Sequence, residues 1–262
     1  MDVIVCVKHV PETAEAEIKI SPEGKSIDKG GLVFDINEWD DYALEEAVRI
    51  KEKFGGLVTA VTIGDEAADS TLRKCLARGA DNGIRVTDTR FEGSDGYVIA
   101  KILHKVIKDI PYNLILTGAQ ASDDGYASVG PMLAELLGIP HATMVNKIEI
   151  KGEISKVNRE LEGGLQETDE IELPALFTIQ TGINEPRYVS IMGIRKAMQK
   201  ETQILDLEAV GLTEGEVGES GSWIRVEKMY APPLEKQAEF LKGAPEEIAE
   251  KVVQLLKAKG MI

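Results

Sequence analysis

Short apolar runs alternate with longer helical patterns along the first half of the chain. "VIVCV" at 3–7 predicts a strand, and "NEWDDYALEEAVRIKEKF" at 37–54 a helix with Tyr42, Ala43, Ala47, Ile50 and Phe54 on one stripe. "LVTAVTI" at 57–63 reads as the next buried strand, followed by a helix over 67–78 that Gly79 ends. A strand over 83–87, a helix over 95–110, a strand over 113–117 and a helix over 129–137 stopped by Gly138 continue the series. Continuous apolar strands separated by helices predict an α/β fold, a doubly wound and mostly parallel sheet covered on both faces. Residues 18–34 break the rhythm with two strand-like runs around Pro-Glu-Gly and Gly-Gly, the text of a hairpin excursion.

After Pro140 the pattern changes to alternation. Residues 142–182 carry turn signals at Lys151-Gly152 and Gly163-Gly164, which predicts an antiparallel meander extending or capping the sheet. "NEPRYVSIMGIRKAMQK" then gives a tight turn and a short cationic helix. Residues 202–221 are rich in Gly and Glu with little periodicity and read as an extended linker or arm. A strand over 223–229, a break at Pro232-Pro233 and helices over 234–241 and 245–259 close the chain. This divides it into an α/β domain at 1–200 and a linker with a helical arm at 201–262. The arm carries Trp223, Phe240 and the stripe Ile248, Val252, Leu255 and Leu256, an apolar face to be covered by its own domain or by a partner subunit.

Composition narrows the classes. With 262 residues, 43% of them hydrophobic, the chain can bury a substantial core. Its 45 acidic against 30 basic residues give a net charge of -15, which disfavours nucleic acid as a partner. No apolar run reaches the ~18 residues of a membrane span, and "VIVCV" opens the chain without a secretory pattern. Cys6 and Cys75 stand far apart without a CxxC spacing and read as buried reduced thiols, so the expected compartment is the cytoplasm.

One stretch carries most of the chemistry. "TGAQASDDGYASVGP" at 117–131 leaves a buried strand and enters a helix, the place where α/β sheets bind ligands. Gly118 and Gly125 allow close approach or positive φ, and Ser128 can cap a helix whose first amides face a phosphate. Asp123 and Asp124 would repel that phosphate unless they turn outward, meet a ribose or amide, or hold a metal. The loop lacks both GxxxxGK[ST] and GxGxxG, so it points to a nucleotide phosphate without naming the nucleotide. His9, His104 and His141 have no metal-ligand spacing, and no nucleophile has a recognisable base beside it; no catalytic residue is assigned.

Six stretches together resemble the beta subunit of electron transfer flavoproteins: "VCVKHVPET" from Val5, "NEWDDYALEEAVRIKE" from Asn37, "LRKCLARGADNGIRV" from Leu72, "GAQASDDGYASVGP" from Gly118, "VNRELEGGLQE" from Val157 and "INEPRYVSIMGIRKAM" from Ile183. The resemblance implies the adenine nucleotide alpha-hydrolase-like fold and an electron carrier built from an alpha and a beta chain. In it, the redox FAD belongs mostly to the alpha subunit and the beta subunit holds AMP. Carried over by position, the AMP segments fall on Cys6, on Asn37, Glu38, Trp39 and Asp40, on Ile63, and on Gly118, Ala119, Gln120, Ala121, Ser122, Asp123, Asp124, Gly125, Tyr126, Ala127, Ser128 and Val129. A second group of the family binds a further FAD in place of AMP and bifurcates electrons from NADH. This chain departs from that group's loop at Ala119, where the group has Arg, and at Asp124, Gly125, Tyr126 and Ser128. The resemblance also implies docking to acyl-CoA dehydrogenases or similar flavoprotein dehydrogenases, with electrons passed on to a quinone oxidoreductase. The docking positions fall on Ile191 and Met192, flanked by Arg195 and Lys196; the competing reading makes Ile191 and Ile194 core contacts. Thr13 departs from relatives that place a tyrosine near the alpha-chain flavin.

Overall fold

β1 (Val3–Cys6) is buried along its whole length because both faces of the sheet are covered where it lies. The chain then forms β2 (His9–Pro11), which pairs antiparallel with β3 (Phe34–Ile36) and clips the base of the excursion between them. Inside the excursion the expected hairpin reduces to a single bridge, Ile20 to Ile27. This computed structural model describes residues 1–13, 16–232 and 240–262.

The regular alternation follows as expected, with ends shifted by a residue or a few. It comprises α1 (Glu38–Phe54), β4 (Val58–Ile63), α2 (Asp69–Arg78), β5 (Asn82–Val86), α3 (Gly96–Ile107), β6 (Leu114–Gly118) and α4 (Val129–Leu137). Gly138 ends α4 in the left-handed conformation, φ 67°, which a residue without Cβ adopts at little cost. Next come β7 (His141–Lys151), β8 (Ile154–Glu160), β9 (Gln166–Glu172) and β10 (Ala175–Ile179). The final elements are α5 (Ile191–Gln199), β11 (Gln203–Leu205), α6 (Leu207–Val210), α7 (Gly218–Gly221) and α8 (Pro245–Ala258).

Nine strands form one sheet in the order β11-β5-β4-β1-β6-β10-β7-β8-β9. The pairs from β11 to β7 are parallel, and β7-β8 and β8-β9 antiparallel. Leu44, Val48 and Leu72 pack on one face with Val5 and Phe177; Val98, Ile102 and Leu133 pack on the other with Ile4 and Leu176. The α/β expectation therefore holds.

Three expectations are corrected. β10 is not the last strand of a meander: it runs between β6 and β7, parallel to both. All five of its residues are buried, so it fills the centre of the sheet, whereas β9, with one face wet, stays at the edge. The stretch 202–221 is not an extended linker, since β11 adds to the sheet edge and Leu207, Val210, Leu212 and Val217 enter the second core. Residues 223–229 form no strand, for their amides at Trp223 and Ile224 bind a side chain, Asp95, in place of a strand partner. The helix expected over 234–241 lies largely outside the described residues. In α8 no residue is buried, and Val252 and Leu255 are exposed. Among the described residues no helix is long and apolar enough to cross a membrane.

Candidate functional site

β1 sits where the strand order reverses. The chain proceeds from it to β4 and β5 on one side, then crosses to β6 on the other. The connections leaving β1 and β6 diverge there and open a crevice at their carboxyl ends. A cavity of about 220 Å³ occupies it. Its apolar wall comes from Cys6, Val61, Ile63, Ile99 and Leu103; its polar rim from Lys8, Asn37, Asp40 and the loop after β6.

The N-terminal turn of α1 shapes that loop from behind. Asn37 Nδ2 donates to the Gln120 carbonyl at 2.8 Å, and the Asn37 Oδ1 accepts the Ser122 amide at 3.0 Å. Asp40 accepts the amides of Lys8 at 2.7 Å and Gly118 at 2.8 Å. Burial pushes the Asp40 carboxyl up to about 7, against the opposing effect of those two hydrogen bonds. Gly118 does permit a close approach, but the neighbour is α1: a Cβ there would stand 2.7 Å from Trp39 Cβ and closer still to Asp40 Oδ1. Gly125 has the expected positive φ, 63°, and Ala127 shares the left-handed region at φ 50°. A non-glycine residue held there carries strain of the kind found at ligand-contacting loops.

The paired aspartates turn to a cation from the same protein. Lys8 Nζ donates to Asp123 at 2.6 Å and Asp124 at 2.7 Å. Sharing one ammonium group, the pair keeps a net charge of -1, half of what bare carboxylates would present to an incoming phosphate. Ser128 does not cap α4. Its backbone is already helical (φ -119°, ψ -22°) rather than extended, and Pro131 occupies the third helical position, where a capped amide would be. The first amides of α4 are thus left without a side-chain cap at the edge of the cavity, where the helix dipole favours an anion. α3 reaches the same cavity with its N-terminus satisfied, since Asp95 accepts the Val98 amide at 3.0 Å. The cavity thus joins an apolar slot to an uncapped helix start.

Among the residues expected at the site, Cys6, Asn37, Asp40, Ile63, Gly118, Ala119, Gln120, Ala121, Asp124, Tyr126, Ala127, Ser128 and Val129 line the cavity. Glu38, Trp39, Ser122, Asp123 and Gly125 do not. Glu38 is exposed on α1, and Trp39 Nε1 donates to Gln180 at 2.9 Å. Ser122, Asp123 and Gly125 are exposed. Lys8, Ser94, Asp95, Gly96 and Leu103 also line it, and sequence reasoning misses them. Lys8 sits next to the first strand in "VCVKHVPET", but its partners are more than a hundred residues away. Burial raises the Cys6 thiol far above its usual range, and nearby Asp40 adds to the effect, so the cysteine is a wall and not a nucleophile.

α5 packs against α2, and none of its residues lines the cavity. Arg187 anchors the segment before it through Glu45 (2.8 Å) and Glu52 (2.6 Å). Arg73 ties down its last turn through the carbonyls of Ala197 and Lys200. Ala197 is its one buried residue. Ile191 is 74% exposed and Ile194 47%, which overturns the core reading of these two positions; Met192, Arg195 and Lys196 are exposed with them.

Comparison with known proteins gives the class: residues 26–210 match the electron transfer flavoprotein domain. The chain is 40% identical over 260 residues to the electron transfer flavoprotein subunit beta of Methylophilus methylotrophus, covering 98% of each. It is 37% identical to the subunit of the same name from Bacillus subtilis, covering 100% of each. A further relative is the caffeyl-CoA reductase-Etf complex subunit CarD of Acetobacterium woodii, 35% identical over 265 residues and covering 100% of each. The chain belongs to the electron transfer flavoprotein beta subunit family, and its role is in electron transfer.

Proposed function

We propose that this chain is the nucleotide-holding subunit of a cytoplasmic electron carrier. It binds AMP in the crevice between β1 and β6 and pairs with an alpha subunit that holds most of the redox FAD. The observation that carries the reading is the uncapped start of α4 facing a cavity with an apolar wall, beside an aspartate pair already engaged by Lys8. FAD supplies the electron chemistry when bound at the alpha subunit. This chain's residues bind, orient and exclude: Asn37 and Asp40 hold the loop, and Cys6, Val61 and Leu103 supply the apolar wall.

Size favours AMP over a second FAD. The cavity, about 220 Å³, lies below the roughly 300–1,000 Å³ of most ligand clefts. Ala119 is buried and offers no cation to a reduced flavin, and the Tyr126 ring stands at the mouth. A carrier without catalysis of its own needs transient docking to its donors, acyl-CoA dehydrogenases or related flavoproteins, and to a quinone oxidoreductase as acceptor. α5 suits such docking, because exposed Ile191 and Met192 form an apolar anchor bordered by Arg195 and Lys196. Co-expression with the adjacent alpha subunit, denaturation of the purified complex and chromatography of the released nucleotides test the assignment. One FAD and one AMP per heterodimer is expected. Two FAD and no AMP would replace it with a bifurcating subunit.

A further inference from the structure

A second cleft, of about 560 Å³, opens beside the first turn of α2 against the sheet edge. It is lined by Ser70, Arg73, Arg85, Thr202, Glu66 and Asp69. Arg85 reaches it by alternation along β5. Ile84 and Val86 face the core under α3, and Gly83 lets α2 approach, a Cβ there standing 3.0 Å from Leu72 Cγ. Arg85, two residues on, faces the same side as Gly83, at the first turn of the helix.

The Arg85 side chain is poorly provided for. The residue is 7% exposed, and its Nε is buried without a hydrogen-bond partner. Arg73 in the same cleft is bonded to Asp69, Ala197 and Lys200, whereas among the described residues no carboxylate stands within ion-pair distance of Arg85. Beside it in the register of β4 lies Thr62, fully buried, whose Oγ1 also lacks a partner. The Arg85 Nε and the Thr62 hydroxyl are therefore withdrawn from water without a partner, while Arg85 lines the cleft. A buried cation in this state is costly unless an anion completes it.

We propose that the cleft is an oxyanion site, taking a carboxylate or phosphate group on Arg85 with Ser70 and Thr202 at its rim. Two sources fit: a free small anion, or an acidic side chain of the partner subunit. The site is separate from the crevice at β1 and does not depend on what that crevice holds.

The test uses the full chain at fixed ionic strength and reads the difference between wild type and Arg85→Met, in which phosphate bound at the crevice cancels. Replacing chloride by inorganic phosphate should raise the wild-type Tm by roughly 2–4 °C more than that of Arg85→Met. In chloride alone Arg85→Met should melt no lower than wild type, because it removes an unpaired buried charge. A selenate-soaked wild-type crystal needs no variant: anomalous density at the Arg85 guanidinium supports a free anion. A partner carboxylate on Arg85 in the heterodimer supports the site and assigns its source. Equal Tm responses in both proteins, or ordered water alone at Arg85 in both the soaked crystal and the heterodimer, would overturn the proposal.

Discussion

The Asp40 carboxylate accepts the amide of Gly118 across 78 residues of sequence, at 2.8 Å and almost out of contact with solvent. The same carboxylate accepts Lys8, so one side chain from α1 fixes the ends of both strands that frame the crevice.

Asp40→Ala would leave two inward-facing amides unsatisfied, each costing about 1–3 kcal/mol. Denaturant unfolding should show a loss of that order, and the purified variant should retain less nucleotide. Full nucleotide content would separate the brace from the site.

The pH dependence of this group has a definite sign. Its folded value, about 7, lies above the ordinary carboxylate value of 3.8, so the folded chain binds the extra proton between them. Stability due to Asp40 is therefore present below the ordinary value and falls as pH rises towards 7, by on the order of a few kcal/mol. Compared with Asp40→Asn across that window, wild type should lose ground steadily with rising pH; a flat difference would refute the raised value.

Gly125 has open space around it and a φ of 63°. Its constraint is backbone handedness alone, which Asn meets far better than a β-branched residue. Gly125→Asn should keep nucleotide retention near wild type, while Gly125→Val lowers it. Equal behaviour of the two variants would remove the claim.

Lys8→Met frees Asp123 and Asp124 beside the α4 terminus. Fold stability should change by less than about 1 kcal/mol, since the pair is partly exposed. AMP affinity should fall about tenfold, ~1.4 kcal/mol, and titration calorimetry reads both the loss and its salt dependence. Undiminished affinity would mean the phosphate lies away from the aspartates.

Ile191→Ala removes an apolar group that is 74% exposed. Stability should stay within about 0.5 kcal/mol and AMP content should not change, while reduction of the carrier by its dehydrogenase slows several-fold. Stopped-flow reduction of the heterodimer is the measurement, and an unchanged rate would move the docking site elsewhere.

The alternation of buried strands and helices was legible because both faces of each central strand are apolar. β10 shows where that reading fails. Its run "ALFTI" is continuous rather than alternating, which marks a buried strand, but sequence order alone makes it part of the antiparallel meander. Spatial order depends on which strands need cover on both faces, a competition among distant segments. At the site, the loop and the helix it enters were visible from small residues and position. The identity of the neighbours was not: Gly118 is small because of α1, and Asp123 and Asp124 are explained by Lys8, each a long-range pairing without periodic trace. Residues 202–221 misled for another reason, since elements of three or four residues are too short to show a period.

Asp95 joins the cavity to the tail. One carboxylate oxygen caps α3 and the other receives the amides of Trp223 and Ile224, while the Trp223 ring lies 5.0 Å from that of Tyr97. The chain has two tryptophans, and the other, Trp39, adjoins Asp40 on the far side of the same crevice. The protein thus carries a pair of native fluorophores flanking the crevice, one half-buried and one open to solvent. Changes in their emission would follow occupancy of the crevice and the path of the tail without any added label.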